Sequence, residues 1–352
     1  MNDRIILASN RGDMGGGEVM LLHLAEALRD LGTDAVVVSP EHPSELRERA
    51  EQRGFAVEVI SATDRRSYLL NLRAWDRTSR DGLLWCNGLL PAVATTGHRR
   101  RLVHLHQRPT ARQRPLALTA RRGALATFVP SWSMAEHLPG SAVLPNFVPP
   151  LDTVHEPSDD FRVGFLGRLS RDKGMDVLVE AMEILDLRLG DRCRLIVGGE
   201  SRFVSNNEAT ELQRRIEALR MPVDWLGWVA PDEFFGKTDV LVVPSTWQEP
   251  FGLVTAEAMA AGVPVIVSDA GALPEVVGPD HPWIVPAGEA QALARALYDV
   301  ATADADRIER TVRAARDRWA ERFSPTAGRQ HIRALLTSIG LPVRTLERGA
   351  SS

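Results

Sequence analysis

Apolar and polar positions along the chain show two patterns in turn, short apolar runs and helical periodicity, which predict alternating strands and helices. Short apolar runs rich in β-branched residues predict buried strands. In the first half these runs are RIILAS, AVVVS, AVEVI, LLWC, LVHLH, ATFVPS and AVLPN, and in the second half FRVGFLG, CRLIVGG, VDWLGW, VLVVPS, VPVIVS and WIVPAG. Helical patterns lie between many of them, most clearly in GEVMLLHLAEALRDLG from Gly17. This alternation predicts an α/β protein with parallel sheets.

A proline- and acid-rich stretch without periodicity, from Val148 to Asp160, predicts a linker between two domains. The chain has 352 residues, a length that suggests two domains. We therefore expect two Rossmann-like doubly wound domains, residues 1–150 and 151–325, that face a cleft where ligands bind at the carboxyl ends of the strands. Residues 326–352 are expected to form a helix packing back toward the N-terminal domain, and a loose tail.

Composition and charge exclude several classes of protein. The chain is 44% hydrophobic and 25% charged with a net charge of -4, which gives no indication of nucleic-acid binding. It has no apolar run of membrane-spanning length and no signal-peptide pattern, so a cytoplasmic location is expected. Cys86 and Cys193 lie in or beside strand-like runs and are predicted to be buried free thiols. The sequence does not indicate an oligomeric state.

The stretch EPFGLVTAEAMAAGVPVIVSD holds two glutamates, Glu249 and Glu257, in otherwise small and apolar surroundings. It follows one predicted strand and ends in another, with a helix predicted from Leu253 to Ala261. The backbone N–H groups of a helix start attract phosphate, and a carboxylate beyond them is placed to accept hydrogen bonds from a ribose diol. The segment therefore predicts a nucleotide site in a parallel βαβ unit.

Two cations follow another predicted strand in FLGRLSRDKGMDVLVEAM. Arg168 and Lys173 flank a short loop before a helix, an arrangement that suits a diphosphate. Only two lysines occur in the chain, Lys173 and Lys237, which gives the first of them more weight.

The first loop, SNRGDMGGGEVMLL, has three glycines between the first strand and the first helix, and so predicts either a ligand loop or a tight turn. In LVHLHQ, His104 and His106 alternate with apolar residues and are expected on one side of a strand. We place His106 at the carboxyl end of that strand, as a hydrogen-bonding residue that faces the cleft.

Together, Gly16-Gly17-Glu18, GRLSRDKG, EPFGLVTAEAMAAGVPVIVSD, GALPEVV and the VLPNFV before the linker resemble the retaining GT-B glycosyltransferases of family 4, the group 1 type. The resemblance extends from about Asn10 to the C-terminal helices. It implies a sugar transfer from a nucleoside diphosphate sugar, with UDP the commonest choice, to a hydroxyl of a small-molecule, natural-product or glycan acceptor. The donor is a co-substrate, and neither a metal nor another cofactor is implied.

The resemblance also implies roles for individual residues. Arg168 and Lys173 would hold the donor diphosphate, Glu257 the ribose hydroxyls and Glu249 the donor sugar. The implied catalytic set is His106, Glu249, Arg168 and Lys173. The implied donor-binding set is Gly16, Gly17, Arg168, Lys173, Glu249, Phe251, Gly252, Leu253, Val254 and Glu257. The family's strand-end histidine maps onto His106, with Gln107 where the family often has an acid. The nucleobase would be contacted by backbone near Gly198 to Ser201 and Leu226 to Pro231.

Two other functions fit the same fold: a nucleotide-sugar epimerase or hydrolase, and a non-catalytic sugar-nucleotide sensor. A nicotinamide dehydrogenase is disfavoured because the GxGxxG spacing and its ribose acid are missing. The one Asp-x-Asp, at Asp304 and Asp306, lies in a helical segment and is interpreted as solvated charge.

No acidic residue occurs between Asp81 and Glu136, a span that contains Arg99, Arg100, Arg101, Arg108, Arg112, Arg114, Arg121 and Arg122. Three interpretations are open: an anionic acceptor, an anionic membrane surface, or a solvated arginine face. The span has few apolar residues to insert into a bilayer, which argues against the membrane. Trp75, Trp85 and Trp132 are either acceptor-pocket or core residues.

Overall fold

The computed structural model describes residues 4–199 and 205–341, and the chain divides into two compact units. Unit 1 comprises Met1–Phe147 and Pro325–Ser352, and unit 2 comprises Val148–Ser324. The domain boundaries predicted from the sequence lie at residues 150 and 325. Residues 148–160, predicted as a linker, contain neither helix nor strand. The tail expected to be loose lies beyond residue 341, outside the described residues.

Unit 1 is built on a seven-stranded sheet in which all paired strands are parallel. Its strands are β1 (Arg4–Ala8), β2 (Asp34–Pro40), β3 (Ala56–Ile60), β4 (Leu83–Asn87), β5 (Arg101–His104), β6 (Ala126–Val129) and β7 (Ala142–Val143). Their order across the sheet is β3-β2-β1-β4-β5-β6-β7. Each apolar run of the first half thus forms a strand, as predicted, because a parallel sheet covered on both faces buries nearly every strand position.

Six helices connect the strands of unit 1. They are α1 (Gly16–Asp30), α2 (Glu45–Gln52), α3 (Arg65–Thr78), α4 (Leu89–Ala94), α5 (Arg114–Ala120) and α6 (Trp132–His137). The helix α1 buries Met20, Leu21, Leu24 and Leu28 against the sheet, as the apolar stripe in its sequence predicts.

Unit 2 repeats this architecture with a six-stranded parallel sheet. Its strands are β8 (Phe161–Leu166), β9 (Cys193–Gly198), β10 (Val223–Gly227), β11 (Val240–Val243), β12 (Val265–Ser268) and β13 (Ile284–Val285). Its helices are α7 (Met175–Leu189), α8 (Asn206–Glu217), α9 (Pro231–Gly236), α10 (Leu253–Ala261), α11 (Leu273–Val277), α12 (Ala290–Thr302) and α13 (Ala305–Arg322). The strand order is β10-β9-β8-β11-β12-β13. The two parallel sheets confirm the predicted α/β class.

The last helix, α14 (Pro325–Ser338), packs against α1 within unit 1. Its buried residues Gly328, Ile332 and Leu336 recur every four positions and so form one stripe. Ile332 and Leu336 belong to the same hydrophobic cluster as Phe147. A Cβ atom on Gly328 would lie 2.4 Å from the ring of Phe147, so this contact requires glycine.

Both cysteines are buried and free, as predicted. Within residues 4–199 and 205–341, no helix has the length and apolar character needed to cross a membrane.

In both sheets the strand order reverses between two neighbouring strands, and doubly wound sheets bind ligands at the carboxyl ends of such strands. In unit 1 the reversal lies between β1 and β4, and in unit 2 between β8 and β11. The segments that follow these four strands carry most of the residues singled out from the sequence.

Candidate functional site

An ion pair joins the two segments that follow β8 and β11 in unit 2. Lys173 lies in a short 3-10 turn after β8, and its Nζ is 2.5 Å from Oε1 of Glu249, in the loop after β11. Ser245 Oγ donates to the same oxygen at 2.7 Å. The Glu249 side chain is only 5% exposed, and a carboxylate so buried requires such partners. The structure thus brings together two residues that the sequence separates widely.

Arg168 lies directly after β8 and is held by its own turn. Its guanidinium forms an ion pair with Asp172, and its Nε donates to Ser170 Oγ at 3.3 Å. The backbone carbonyl of Asp172 accepts the N–H of Thr246 at 3.0 Å, which ties this turn to the segment after β11. The Arg168 side chain is still 35% exposed, and a guanidinium has more N–H groups than these contacts use. Arg168 can therefore also bind an anion from solvent.

Two glycines allow the loops to approach this closely. Gly174 has φ of 75°, and a Cβ there would lie 1.9 Å from Pro244 O. Gly271 has φ of 63°, and a Cβ there would lie 2.3 Å from Glu249 O, which accepts the N–H of Ala272 at 2.9 Å. The GALPEVV segment thus holds the backbone of Glu249 in place.

The start of α10 lies beside this ion pair in sequence and presents free backbone donors. Gly252 precedes the helix with φ of 91°, in the left-handed region. The N–H groups of Leu253 and Val254, in the first turn, have no intrahelical acceptor. Phe251 is 3% exposed, so its side chain belongs to the core and only its backbone could meet a ligand. The predicted helix bounds, Leu253 to Ala261, are confirmed.

Glu257 lies in the second turn of α10 and is partly exposed. Loss of solvent around its carboxyl raises its pKa to about 7. In the part of the chain that the structure describes, this carboxyl forms no hydrogen bond or ion pair. A carboxyl that is desolvated and unpartnered is one that a ligand hydroxyl can satisfy.

A second group of polar residues lies at the carboxyl edge of the unit 1 sheet. His106 Nε2 is 2.6 Å from Asn87 Oδ1, and Asn87 Nδ2 donates to Gly17 O at 3.0 Å. Since the Asn87 amide donates through Nδ2, its Oδ1 accepts, and Nε2 of His106 carries the imidazole proton. A Cβ on Gly17 would lie 3.6 Å from the His106 ring, whereas Gly16 is exposed. His106 lies two residues beyond the last residue of β5, at the carboxyl end of that strand.

Burial keeps both strand histidines uncharged. It lowers the pKa of His106 to about 4 and that of His104 well below its usual range. Their ring centroids are 4.0 Å apart, so they share one side of the sheet, as the alternation predicts. Nδ1 of His106 has no partner among the described residues. In this tautomer Nδ1 is a buried hydrogen-bond acceptor that lacks a partner among those residues.

Sequence reasoning missed three residues of these groups. Glu18 is 4% exposed, accepts a hydrogen bond from Ser9 Oγ at 2.9 Å and has its pKa raised to about 7 by burial. Asn87 and Ser245 each follow or end an apolar strand. A polar residue at that position, at the carboxyl edge of a parallel sheet, is the signal that could have identified the last two.

The Asp-x-Asp pair and the three tryptophans occupy different environments. Asp304 caps α13 by accepting the N–H of Arg307 at 2.7 Å, and Asp306 is exposed in the same helix, as the solvated-charge interpretation predicts. Trp85 is fully buried, and Trp75 donates to Glu58 at 2.6 Å, whereas Trp132 is 64% exposed. Of the segment expected to contact the nucleobase, Glu200 and Ser201 lie outside the described residues.

Comparison with known proteins adds a family to this geometry. A family model described as glycosyl transferases group 1 matches residues 152–318, which include both strand-end segments of unit 2. Residues 152–318 are thus similar to this family. The ion pair, the start of α10 and Glu257 lie within the matched segment.

Two curated relatives are similar to the chain to different extents. The D-inositol 3-phosphate glycosyltransferase of Corynebacterium jeikeium is 38% identical over 121 residues, 33% of this chain and 29% of that protein. The 2-deoxystreptamine N-acetyl-D-glucosaminyltransferase of Streptomyces fradiae is 29% identical over 364 residues, 86% of each chain. Two other curated relatives are also matched over only 29% and 30% of their own length.

Solved structures resemble nearly the whole chain. The structure of Anabaena HepE in complex with UDP-glucose has a TM-score of 0.82 and 23% identity, covering 95% of this chain and 99% of that one. The sucrose-phosphate synthase of Thermosynechococcus elongatus has a TM-score of 0.77 and 21% identity, covering 96% of this chain and 98% of that one. These likenesses show the fold, which is GT-B as the resemblance in the sequence implied.

Proposed function

We propose that the protein is a glycosyltransferase that moves a sugar from a nucleoside diphosphate donor, with UDP as the nucleotide, to a hydroxyl of a small-molecule, natural-product or glycan acceptor. The observation that carries the proposal is the ion pair between Lys173 and Glu249 beside the α10 start and the unpartnered Glu257, within the segment that is similar to group 1 glycosyl transferases. UDP is chosen because similar folds were solved with UDP-glucose and UDP.

The donor would occupy the carboxyl edge of unit 2. Arg168 has unused N–H groups for phosphate oxygens, and the Lys173 side chain is 27% exposed, so it can contact a phosphate while keeping Glu249 as a partner. The N–H groups of Leu253 and Val254 add donors at the positive end of the helix dipole. Glu257 would accept hydrogen bonds from the ribose hydroxyls.

Catalysis would come from stabilising the leaving group. As the bond between the sugar and the phosphate breaks, negative charge grows on the nucleotide. Arg168, Lys173 and the helix start oppose this charge from fixed positions. Because two side-chain cations supply this stabilisation, the proposed reaction needs no metal.

We further propose that the anomeric configuration is retained by attack from the face of the leaving phosphate, which takes the proton of the acceptor hydroxyl. Glu249 is suited to positioning the donor sugar rather than to attacking it, because its Oε1 is already shared by Lys173 and Ser245. A double displacement would instead require a free carboxylate nucleophile.

In unit 1, the acceptor side of this proposal rests on His106. Its neutral tautomer leaves Nδ1 as an acceptor, so it can orient a substrate hydroxyl but is a poor proton donor at neutral pH. We propose that Gly16 and Gly17 leave room for the substrate next to the imidazole.

The proposal is tested by thermal unfolding with UDP, GDP, ADP and dTDP. A nucleotide at a hundred times its dissociation constant should stabilise the fold by about 2.7 kcal/mol. We expect UDP to do so, and Lys173→Ala and Glu257→Ala to lose most of that gain. Lys237→Ala is the matched control, because Lys237 is the only other lysine and pairs with Glu233 on the surface. No stabilisation by any nucleotide, or equal losses in Lys237→Ala and Lys173→Ala, would refute the assigned site.

Product analysis separates the alternatives. Transfer requires UDP release that depends on an acceptor. UDP-sugar cleavage to free sugar without acceptor would indicate a hydrolase, an altered sugar on intact UDP an epimerase, and UDP binding without any turnover a sensor.

A further inference from the structure

The arginines of the acid-free span lie at two opposite edges of the unit 1 sheet. Arg101, at the start of β5, donates to Ala120 O at the end of α5, at 2.5 Å. The end of α5 is therefore at the amino edge of the sheet, and its start is at the carboxyl edge. This arrangement puts Arg108, Arg112 and Arg114 at the carboxyl edge and Arg99, Arg100, Arg101, Arg121 and Arg122 at or near the amino edge.

Two arginines of the amino-edge group have a structural role. Arg101 is fully buried and donates to Ala92 O at 3.0 Å as well as to Ala120. Arg121 donates to Pro139 O at 2.9 Å. These guanidinium groups join loop and helix carbonyls and are not available to a ligand.

The carboxyl-edge group differs from Arg101 and Arg121 because no carbonyl oxygen holds its guanidinium groups. Among the described residues, the side chains of Arg108, Arg112 and Arg114 have neither a carbonyl nor a carboxylate partner. Their charge is therefore not compensated by a contact, unlike that of Arg4, which pairs with Asp34 at 2.6 Å. Three unpaired cations within seven residues create a positive potential that attracts anions.

The position of this group links it to the proposed acceptor side. Arg108 follows His106 by two residues, so their Cα atoms are at most about 7 Å apart. Residues 110–116, which carry the other two arginines, are all exposed. The 64% exposed Trp132 follows β6, the neighbour of β5, at the same edge. An indole ring at the same sheet edge as these arginines suits a sugar or cyclitol with a charged substituent.

We propose that Arg108, Arg112 and Arg114 bind a phosphate or carboxylate group of the acceptor. The inference rests on the proposed glycosyl transfer and narrows its acceptor to anionic molecules. Guanidinium groups bind both anions with paired hydrogen bonds. The same charge disfavours a cationic aminocyclitol, although the name of the Streptomyces fradiae relative specifies 2-deoxystreptamine.

The test compares two triple variants with equal changes in net charge. Arg108→Gln/Arg112→Gln/Arg114→Gln removes the carboxyl-edge group, and Arg99→Gln/Arg100→Gln/Arg122→Gln removes exposed arginines near the opposite edge. Binding of glucose 6-phosphate and of glucose is measured calorimetrically with saturating UDP, which blocks the donor site. We expect wild type to prefer glucose 6-phosphate, the carboxyl-edge variant to bind it about tenfold or more weakly, and the control to bind it nearly as wild type does.

A second arm distinguishes a free acceptor from a lipid headgroup that carries the same anion. Sedimentation with phosphatidylcholine vesicles, with and without phosphatidylglycerol, is measured for the same three proteins. Vesicle binding lost only in the carboxyl-edge variant, and not displaced by glucose 6-phosphate, would assign the anion to a headgroup.

Equal losses in both triple variants, or no binding of either anionic probe by wild type, would overturn the proposal. UDP affinity, measured on the same proteins, reports on the donor site separately. Failure of wild type to bind UDP would therefore refute the proposed function rather than the anion site.

Discussion

The raised pKa of Glu257 makes stability and nucleotide binding depend on pH in a defined direction. The folded chain holds this proton up to a pKa of about 7, whereas the unfolded chain releases it near the usual glutamate pKa of 4.5. Between these values the unfolded state binds fewer protons, so the free energy of unfolding falls as pH rises from about 4.5 to 7 and is level above that. Substituting Glu257→Gln removes this penalty.

The size of the effect follows from the same interval. One pKa unit corresponds to about 1.4 kcal/mol, so the rise from 4.5 to about 7 has an upper bound of about 3 kcal/mol. Because the side chain is partly exposed, solvent relaxation reduces the effect, and we expect about 1–2 kcal/mol. Glu257→Gln should therefore match wild type at pH 5 and exceed its stability by this amount at pH 8.

Two assays check the prediction. Chemical denaturation of both proteins from pH 5 to 8 gives the difference in unfolding free energy. UDP titrations over the same range report function, because ribose hydroxyls donate better to the ionised carboxylate. We expect UDP affinity to rise with pH more steeply in wild type than in Glu257→Gln. Because titration of the nucleotide itself affects both proteins equally, the difference between the two slopes reports on Glu257 alone. If the difference in unfolding free energy between the two proteins did not change with pH, the raised pKa of Glu257 would be refuted. If UDP affinity changed equally with pH in both proteins, the contact between Glu257 and the ribose would be refuted.

Three other predictions concern the loops around both groups. Gly271→Ala would place a Cβ 2.3 Å from Glu249 O, so it should lower the free energy of unfolding by about 2 kcal/mol or more and weaken UDP binding. The control is Gly288→Ala, which is also at positive φ but in open space. It should cost about 1 kcal/mol and leave UDP binding unchanged. Asn87→Asp should raise the pKa of the adjacent imidazole from about 4 to near or above its usual 6.5, measured by NMR titration of the ring nitrogens; an unmoved titration would contradict the Asn87 contact. Glu18→Gln should raise the free energy of unfolding above that of wild type more at pH 8 than at pH 5, because burial raises the pKa of Glu18 to about 7. Denaturant titrations at both pH values measure this difference, and a larger gain at pH 5 would contradict the raised pKa.

The strands and the α10 segment could be predicted because their causes are local. Apolar runs of four to seven residues are bounded by polar turns, and each formed a parallel strand. Gly252 and Gly262, both at positive φ, mark the two ends of α10, so its bounds could be read from the sequence. The parallel pairing of β11 with β12 followed from the helix between them.

The contacts within the sites could not be predicted because they depend on strand order. The pairing of Lys173 with Glu249 exists because β8 lies beside β11, although α7, β9, α8, β10, α9 and β11 separate the two residues in the chain. The alternation in LVHLHQ continues past the strand, but pairing of β5 with β6 ends at His104 and Phe128, which leaves His106 beyond it. Burial, which sets the pKa values of His106 and Glu257, likewise depends on the tertiary structure.

A crystal structure of the protein with UDP tests the central claim most directly. The account predicts phosphate oxygens within hydrogen-bond distance of Lys173 Nζ and of the first-turn amides of α10, and ribose hydroxyls within about 3 Å of the Glu257 carboxylate. UDP bound away from the carboxyl edge of unit 2, or bound there with its ribose out of reach of Glu257, would contradict the assigned donor site.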